Sequence, residues 1–409
     1  MNSLFPPLNI AARGALEKLF PAIDAAFPLK QRFLSELPKN IARLSAMLTK
    51  ERAALKGGYM SDPALLHAYL RYFLPWNVFR LARLLPSLPL AALNSAANGS
   101  PEIVDVGAGP LTLPVSLWIA FPELRAAPLR FVCVDKSGAA LEAGKKLFSA
   151  LAQQTGAAEN HWQIKTRRAA FEESPAASKE NSAVLVCALN VCNELFQHIP
   201  QADTGALSER ARKFTRSLLR LTGEGGRALV IEPGAPRPAQ FLHFARQAFI
   251  EQGFTIEAPC PQTEKCPMHG GRRGQKWCHF NFDTKDAPEA LNKISAQAFL
   301  PKEKVTLSFL LAAKKRKDKP EKDALNVRVI SDAFSLPENK TGRYACSEEG
   351  LTLIRGSRTL VEKHRQGTFL RAKRPAKTLR DAKSGAFILD IEEAESRKSS
   401  NSHPHSKFF

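Results

Sequence analysis

The feature that most constrains the fold is an alternation of short apolar runs with helix-like segments from residue 100 onward. The run EIVDV breaks into Gly107 and Gly109 and is followed by the helix-like LTLPVSLWIAF, and LRFVCVD is followed by ALEAGKKLFSAL. The same order returns in SAVLVCALNV, in GRALVIEPG and finally in the strand KVTLSFLLAAKK. Strands that alternate with helices of this length indicate an open, mostly parallel α/β sheet.

Regions of different character flank this alternation. Before it, apolar residues recur at helical spacing, and after it come short β-like pieces separated by turns. The predicted organisation is an N-terminal helical domain at 1–97, an α/β domain at 98–313 with a cysteine-rich insertion at 258–282, a charged linker at 314–324, a small basic β domain at 325–395 and a disordered tail at 396–409.

The N-terminal helical region contains basic residues among aromatic ones. In ALLHAYLRYFLPWNVFRLARLLPSL, Pro75 predicts a break or kink, because proline lacks the backbone donor that a helix interior needs. Arg71, Arg80 and Arg83 are expected on a solvated face of a packed helix pair, with an RNA-contacting face as the alternative.

Charge points to a polyanionic partner. Lys and Arg total 59 against 39 Asp and Glu, which gives a net charge of +20. Such an excess favours RNA or DNA, where released counterions contribute much of the affinity, over an anionic membrane surface or a merely solvated basic face. No segment has eighteen uninterrupted apolar residues, and the first twenty residues do not have the pattern of a secretory signal. We therefore expect a cytoplasmic monomer without a membrane partner.

The first strand and its glycine turn predict a nucleotide pocket. Asp105 closes the strand, and Gly107 and Gly109 let a bound nucleoside approach the backbone. Asp135 ends the second strand, where a carboxylate can accept both hydrogen bonds of a ribose diol. Leu111 stands where a dinucleotide fingerprint has its third glycine, which makes nicotinamide binding less favoured.

This arrangement resembles the class I S-adenosylmethionine-dependent methyltransferase fold. The resemblance implies a Rossmann-like open sheet in which Asp105, Gly107 and Gly109 form the loop on the methionine side of the cofactor. It also implies that Asp135 binds the ribose. The alternative is an inherited fold whose pocket no longer binds a cofactor.

Polar residues follow the third strand, in the segment ALNVCNEL. Asn190, Asn193 and Glu194 would lie at the carboxyl end of the sheet, where ligands bind in such folds. They are the predicted catalytic residues, which would orient a substrate amine or hydroxyl. For Glu194 the alternative role is to cap the following helix.

The segment 258–282 collects soft metal ligands. Cys260, Cys266 and Cys278 lie on a loop rich in proline and glycine, which favours a metal site over thiols of the core. Seven cysteines in a chain of 409 residues do not resemble a disulfide framework. The fourth ligand is open between His269, His279 and the remote Cys346: a histidine favours structural zinc, and four thiolates suit zinc or an iron–sulfur cluster.

Most of the chain, from about residue 59 to about 355, resembles the methyltransferase-like assembly factors of the bacterial and mitochondrial small ribosomal subunit. The motifs are YMSDPALLHAYLRYFLP, DVGAGPLTLPVSLW, LNVCNEL, VIEPG, CPQTEKCPM, WCHFNF and YACSEEG. The resemblance implies a [4Fe-4S] cluster held by Cys260, Cys266, Cys278 and Cys346. It also implies binding of S-adenosyl-L-methionine, of the small ribosomal subunit and of its rRNA, in ribosome assembly and translation.

Three functions follow from these expectations. The first is an S-adenosylmethionine-dependent protein of the small ribosomal subunit that acts on rRNA. The second is a non-catalytic RNA-binding assembly factor that uses the methyltransferase fold as a scaffold. The third is a structural-zinc methyltransferase that acts on a small molecule.

Overall fold

A computed structural model describes residues 2–49, 59–90, 93, 100–156, 161–171, 180–268, 276–314 and 323–392. Its helices are Ile10–Ala26 (α1), Gln31–Leu34 (α2), Leu37–Thr49 (α3), Pro63–Ala68 (α4), Leu74–Leu84 (α5), Thr112–Ala120 (α6), Gly138–Gln154 (α7), Cys192–Phe196 (α8), Thr204–Leu221 (α9), Pro236–Glu251 (α10), Glu289–Gln297 (α11) and Arg358–Glu362 (α12). Its strands are Asn2–Ser3 (β1), Glu102–Val106 (β2), Arg130–Asp135 (β3), Gln163–Arg168 (β4), Ala183–Leu189 (β5), Thr222–Glu232 (β6), Thr255–Ala258 (β7), Phe280–Asp283 (β8), Lys304–Ala313 (β9), Ala324–Val329 (β10), Phe334–Ser335 (β11), Thr341–Ser347 (β12), Gly350–Gly356 (β13), Thr368–Lys373 (β14) and Phe387–Asp390 (β15).

The larger sheet has the strand order β4-β3-β2-β5-β6-β9-β7, with β8 paired to β9. Strands β4, β3, β2, β5 and β6 run parallel, and β9 is antiparallel to both β6 and β7. The strand order reverses between β2 and β5, the point at which open α/β sheets bind ligands beyond the carboxyl ends of their strands. The predicted α/β, Rossmann-like open sheet of the class I methyltransferase type is confirmed.

Helices cover both faces of this sheet, which explains the continuous apolar runs of its strands. On β2, Ile103 packs into the core that includes α1, α5, α6 and α7, whereas Val104 packs into the core that includes α9 and α10. Leu185 and Val186 of β5 divide in the same way. The alternation therefore places Asp105 on the same face as Ile103.

The N-terminal region packs its helices against the sheet domain, with α5 beside α6 and α1 beside α7. A π-helical turn at Tyr69–Phe73 separates α4 from α5. Pro75 lies at the start of α5, so the predicted irregularity takes the form of this wide turn. The expected solvated face is wrong for two arginines: Arg71 and Arg83 are 6% and 5% exposed and pair with Asp24 and Asp286.

The second sheet has the order β1-β14-β10-β12-β13-β15, with β11 paired to β12. Strands β10–β15 come from the predicted C-terminal β domain. Strand β1 comes from the chain start and pairs antiparallel with β14, so the N-terminal region also contributes to this sheet. Most of the predicted linker and the whole tail, 396–409, lie outside the described residues.

Candidate functional site

A cavity of about 560 Å³ lies at the carboxyl ends of β2, β3 and β5. Five of the predicted residues line it: Gly107, Gly109, Asp135, Asn190 and Glu194. They come from three strand ends that are far apart in sequence, and the strand order brings them to one edge. Its volume falls within the roughly 300–1,000 Å³ that is usual for small-molecule sites.

Asp135 organises the glycine loop as well as facing the cavity. Its Oδ2 accepts a hydrogen bond of 2.8 Å from the Gly109 N–H, and its Oδ1 accepts one of 2.7 Å from the Ser137 N–H. Burial is the main cause that raises the pKa of Asp135, and these two backbone donors oppose the rise. Each oxygen retains a lone pair, so the carboxylate can still accept bonds from a ligand.

Gly107 is needed for packing as well as for access. Its φ of +72° lies in the left-handed region, and a Cβ there would lie 2.3 Å from Cγ2 of Val191. The turn after β5 therefore packs directly on the glycine loop.

Leu111 closes this loop without a third glycine. It has a φ of +57° and a fully buried side chain. A Cβ on Gly144 of α7 would lie 2.5 Å from the Leu111 Cγ, so the absence of a side chain there leaves the space that Leu111 fills.

Asp105 and Asn193, in contrast, are not among the described residues that line the cavity. Asp105 is 0% exposed, lies between Cys133 of β3 and Cys187 of β5, and neither of its carboxyl oxygens has a hydrogen-bond partner among the described residues. Burial, and secondarily the charge of Asp135, raise the pKa of Asp105 to about 8. The amide of Asn193 donates to Oε2 of Glu232 at 3.4 Å.

The side chain of Glu194 is in contact with a lysine, whereas Asn190 is held through its backbone. Oε2 of Glu194 accepts a hydrogen bond of 2.5 Å from Nζ of Lys136 across the cavity rim. Asn190 has a φ of +58°, and its backbone N–H donates to the Ile231 carbonyl of β6. That bond anchors the turn after β5 to the neighbouring strand.

The N-terminal region contributes a wall that the sequence did not predict. Tyr59, Met60, Ser61 and Tyr69 line the cavity. Burial raises the pKa of Tyr69 to about 12, and the charge of Asp135 adds to the rise. The phenol therefore stays neutral and can donate a hydrogen bond at neutral pH.

The predicted cysteines gather at the junction of the two sheets. Cys260, Cys266 and Cys278 line a small cavity of about 30 Å³ beside α10. Cys346 comes from β12 of the second sheet, and its Sγ lies 3.8 Å from Nε2 of Gln262 in the cysteine loop. The structure thus brings together four thiols that the sequence spreads over more than 80 residues.

The thiols influence one another electrostatically. Burial raises the pKa of Cys266 to about 11 and that of Cys346 to about 12, and the charge of Cys260 adds to both shifts. The pKa of Cys278 is raised well above its ordinary value, first by burial and then by the other three thiolates. The charge of Cys260 thus acts on each of the other three thiols.

Two histidines, His279 and His269, are the alternatives to Cys346 as the fourth metal ligand. His279 stacks on Trp277, with ring centroids 5.1 Å apart, and its Nδ1 lies 3.2 Å from the Trp277 carbonyl. His269 lies outside the described residues. Within the described ranges, no group of three or more His, Cys, Asp and Glu side chains meets the geometry for a metal ion, so the metal stays a prediction.

One described family and several solved structures are similar to this chain. The sequence matches the family described as mitochondrial small ribosomal subunit Rsm22 over residues 89–378. No curated protein sequence matches it. Similar solved structures include the 16S rRNA (adenine(1408)-N(1))-methyltransferase of Catenulisporales acidiphilia, at 15% identity and a TM-score of 0.30 over 57% of this chain and 94% of that one.

Another similar structure is the geranyl diphosphate C-methyltransferase of Streptomyces coelicolor A3(2), at 13% identity and a TM-score of 0.31 over 64% of this chain and 88% of that one. No helix among the described residues has the length and apolar character needed to cross a membrane. Because the family match covers well over half of the sequence, the chain belongs to the mitochondrial small ribosomal subunit Rsm22 family.

Proposed function

We propose that the chain binds S-adenosyl-L-methionine in the cavity at the ends of β2, β3 and β5, as a methyltransferase-like protein of the small ribosomal subunit. The observation that carries this proposal is the glycine loop fixed to Asp135 on the wall of a cavity of about 560 Å³. The bare backbone of Gly107 and Gly109 fits close approach of a nucleoside, and the acceptor capacity left on Asp135 fits a ribose diol.

When bound, S-adenosylmethionine supplies an electrophilic methyl group to a nucleophile of the acceptor. The chain's own residues would position both partners, since such a transfer depends mainly on proximity and orientation. Asn190 offers an amide on the cavity wall, and Tyr69 from the N-terminal region lines the same cavity. Glu194 also lines the cavity, with one of its two carboxylate oxygens in contact with Lys136.

Asp135→Asn is expected to raise the dissociation constant for S-adenosylmethionine by roughly 10- to 150-fold. The variant loses a charged hydrogen-bond acceptor, which is worth about 1.5–3 kcal/mol. Titration calorimetry on the full chain measures this effect, with Asp332→Asn, an exposed carboxylate paired with Lys304, as the control. Failure of the unmodified protein to bind S-adenosylmethionine would contradict the proposed cofactor binding.

A non-catalytic scaffold is the second candidate, and two contacts favour it. Glu194 is paired with Lys136, and Asn193 is bonded to Glu232, so two of the three predicted catalytic residues are already engaged within the fold. Cofactor binding without methyl transfer to small-subunit rRNA supports the scaffold. Transfer of a labelled methyl group supports the enzyme.

We further propose that Cys260, Cys266, Cys278 and Cys346 hold a [4Fe-4S] cluster. Cys260, Cys266 and Cys278 line one small, mostly apolar cavity, and Cys346 lies beside Gln262 of the same loop. This arrangement fits a four-thiolate donor set, and thiolates suit such clusters as well as zinc. A centre held by these four residues would tie the loop that follows β7 to β12. The cluster would thus join the methyltransferase-like domain to the second sheet.

The partner we propose is rRNA of the small subunit, in keeping with the family and with the net charge of +20. One exposed basic group on the second domain is formed by Arg358, Lys363 and Arg365, which line an open hollow beside α12. Phosphate groups suit such a surface because each contact releases condensed counterions.

Changing Arg358, Lys363 and Arg365 together to Gln is expected to reduce the slope of log K against log salt by roughly 2 for single-stranded rRNA. Each lost phosphate contact removes about 0.7 from that slope. Fluorescence anisotropy at several salt concentrations measures it. The control is the same loss of charge on the N-terminal helices, at Lys18, Lys39 and Arg43, and an equal effect there would place the RNA surface elsewhere.

Two expectations remain predictions. The monomeric state rests on the sequence alone. The cytoplasmic location also remains a prediction, and the description of the matched family is mitochondrial.

A further inference from the structure

Two buried arginines face the cysteines from different structural units. Arg246 lies on α10 with 3% of its surface exposed, and Arg328 lies on β10 with 8% exposed. Arg246 lines the small cavity together with Cys260, Cys266 and Cys278. Burial of a guanidinium is costly unless a negative charge compensates it.

The hydrogen bonds that both side chains donate to oxygen atoms go to neutral acceptors. Nη2 of Arg246 donates to the carbonyl of Gln262 at 3.0 Å, to its Oε1 at 3.3 Å and to the carbonyl of Glu264 at 2.9 Å. Nε of Arg328 donates to the Pro259 carbonyl at 3.0 Å, and its Nη1 donates to the Gly367 carbonyl at 2.7 Å. Both arginines therefore donate hydrogen bonds to backbone carbonyls of the cysteine loop.

Neither arginine has a carboxylate partner in the described part of the chain, and Nε of Arg246 is buried there without any hydrogen-bond partner. Of the other buried arginines, Arg71 pairs with Asp24 at 2.7 Å and Arg83 pairs with Asp286 at 3.2 Å. Arg343 also donates only to backbone carbonyls, but the opposite charges that act on its pKa are the carboxylates of Asp332 and Glu362. At Arg246 and Arg328, no carboxylate among the described residues compensates the buried positive charge.

The thiols are the groups that can supply this negative charge. Burial by itself lowers the pKa of Arg246, but the thiolates of Cys260, Cys266 and Cys346 raise it above its ordinary value. Burial lowers the pKa of Arg328 to about 10, and Cys260 opposes that shift. Arg246 thus lines the same cavity as three of the thiols, and Arg328 bonds the carbonyl of Pro259, the neighbour of Cys260.

We propose that Arg246 and Arg328 are the counter-ions of the four-cysteine centre and that they set its charge balance and its reduction potential. The inference rests on the cluster proposed above. An oxidised [4Fe-4S] centre with four thiolates carries about two units of net negative charge, which two guanidinium groups neutralise. Reduction adds one more negative charge, so nearby positive charge makes reduction easier and raises the potential.

The first test is a potentiometric titration of anaerobically purified full chain, followed by visible absorbance. Arg246→Gln and Arg328→Gln are expected to shift the midpoint to more negative potential, and Arg246→Lys, which keeps the charge, is expected to restore most of the shift. The control is Arg83→Gln, which removes a buried arginine at another site and should leave the midpoint unchanged. Unchanged midpoints in cluster-loaded Gln variants would overturn the proposal.

Thermal unfolding provides a second readout that does not need redox chemistry. Arg246→Gln is expected to lower Tm more in the metal-loaded protein than in chelator-treated protein, because only the loaded centre presents the full negative charge. Equal losses in both forms would also reject the counter-ion role. Unmodified protein that binds no iron would reject the cluster itself, a separate outcome from the failure of the two arginines.

Discussion

Cys346→Ser is expected to lose most of its bound iron together with the visible absorbance of the cluster. The variant removes the one ligand that comes from β12, so the centre would retain only the three thiols of the segment 258–282. Loss of a structural metal ranks among the largest single-residue effects, above about 4 kcal/mol. For a domain of about 150–250 residues this corresponds to a fall in Tm of roughly 10 °C.

Cys133→Ala is the matched control for this variant. Cys133 is also fully buried, but it lies in β3 beside Asp105 and away from the cysteine loop. It should keep its iron and lose only about 1 kcal/mol of stability. Cys266→Ser should behave like Cys346→Ser, and full iron retention by Cys346→Ser would return the fourth ligand to a histidine.

Asp105→Asn is expected to abolish a strong dependence of stability on pH. The carboxyl group has a pKa of about 8 in the folded chain, above its ordinary value near 4, so the native state binds a proton that the unfolded state releases. Stability contributed by the neutral carboxyl is full below the unfolded pKa. It is lost as pH rises, by about 1.4 kcal/mol per pH unit up to the folded pKa.

Chemical denaturation at pH 5, 6 and 7 measures this slope. Between pH 5 and pH 7 the unmodified protein should lose about 3 kcal/mol more than the variant. Any constant effect of the amide cancels in the comparison of slopes. Parallel curves for the two proteins would show that Asp105 is charged in the fold, with a compensating partner that the described residues do not provide.

The sequence was informative where the signal is local. The strands β2, β3 and β5 are buried on both faces and therefore form continuous apolar runs. Strand β4, QIKTRR, has no such run because it lies at the sheet edge with mostly exposed side chains, and it was not predicted. Strand β1 is two residues long and exists only through its pairing with β14.

The candidate site likewise contains some residues that a local sequence pattern predicts and others that only long-range packing brings there. The position of Asp135 beside the glycine loop could be predicted because the carboxyl ends of two adjacent parallel strands, β2 and β3, meet at one edge of the sheet. Tyr69 reaches the cavity through long-range packing of the N-terminal helices, which no local pattern reports. Arg246 did carry a signal, since it falls on the apolar face of α10 with Leu242 and Phe249, but the sulfurs it faces come from other elements.

The most direct test of the account is the content of iron and acid-labile sulfide in anaerobically purified full chain. A [4Fe-4S] centre bound by the four converging cysteines predicts about four of each per polypeptide. Zinc in place of iron, or protein with neither metal, would contradict it.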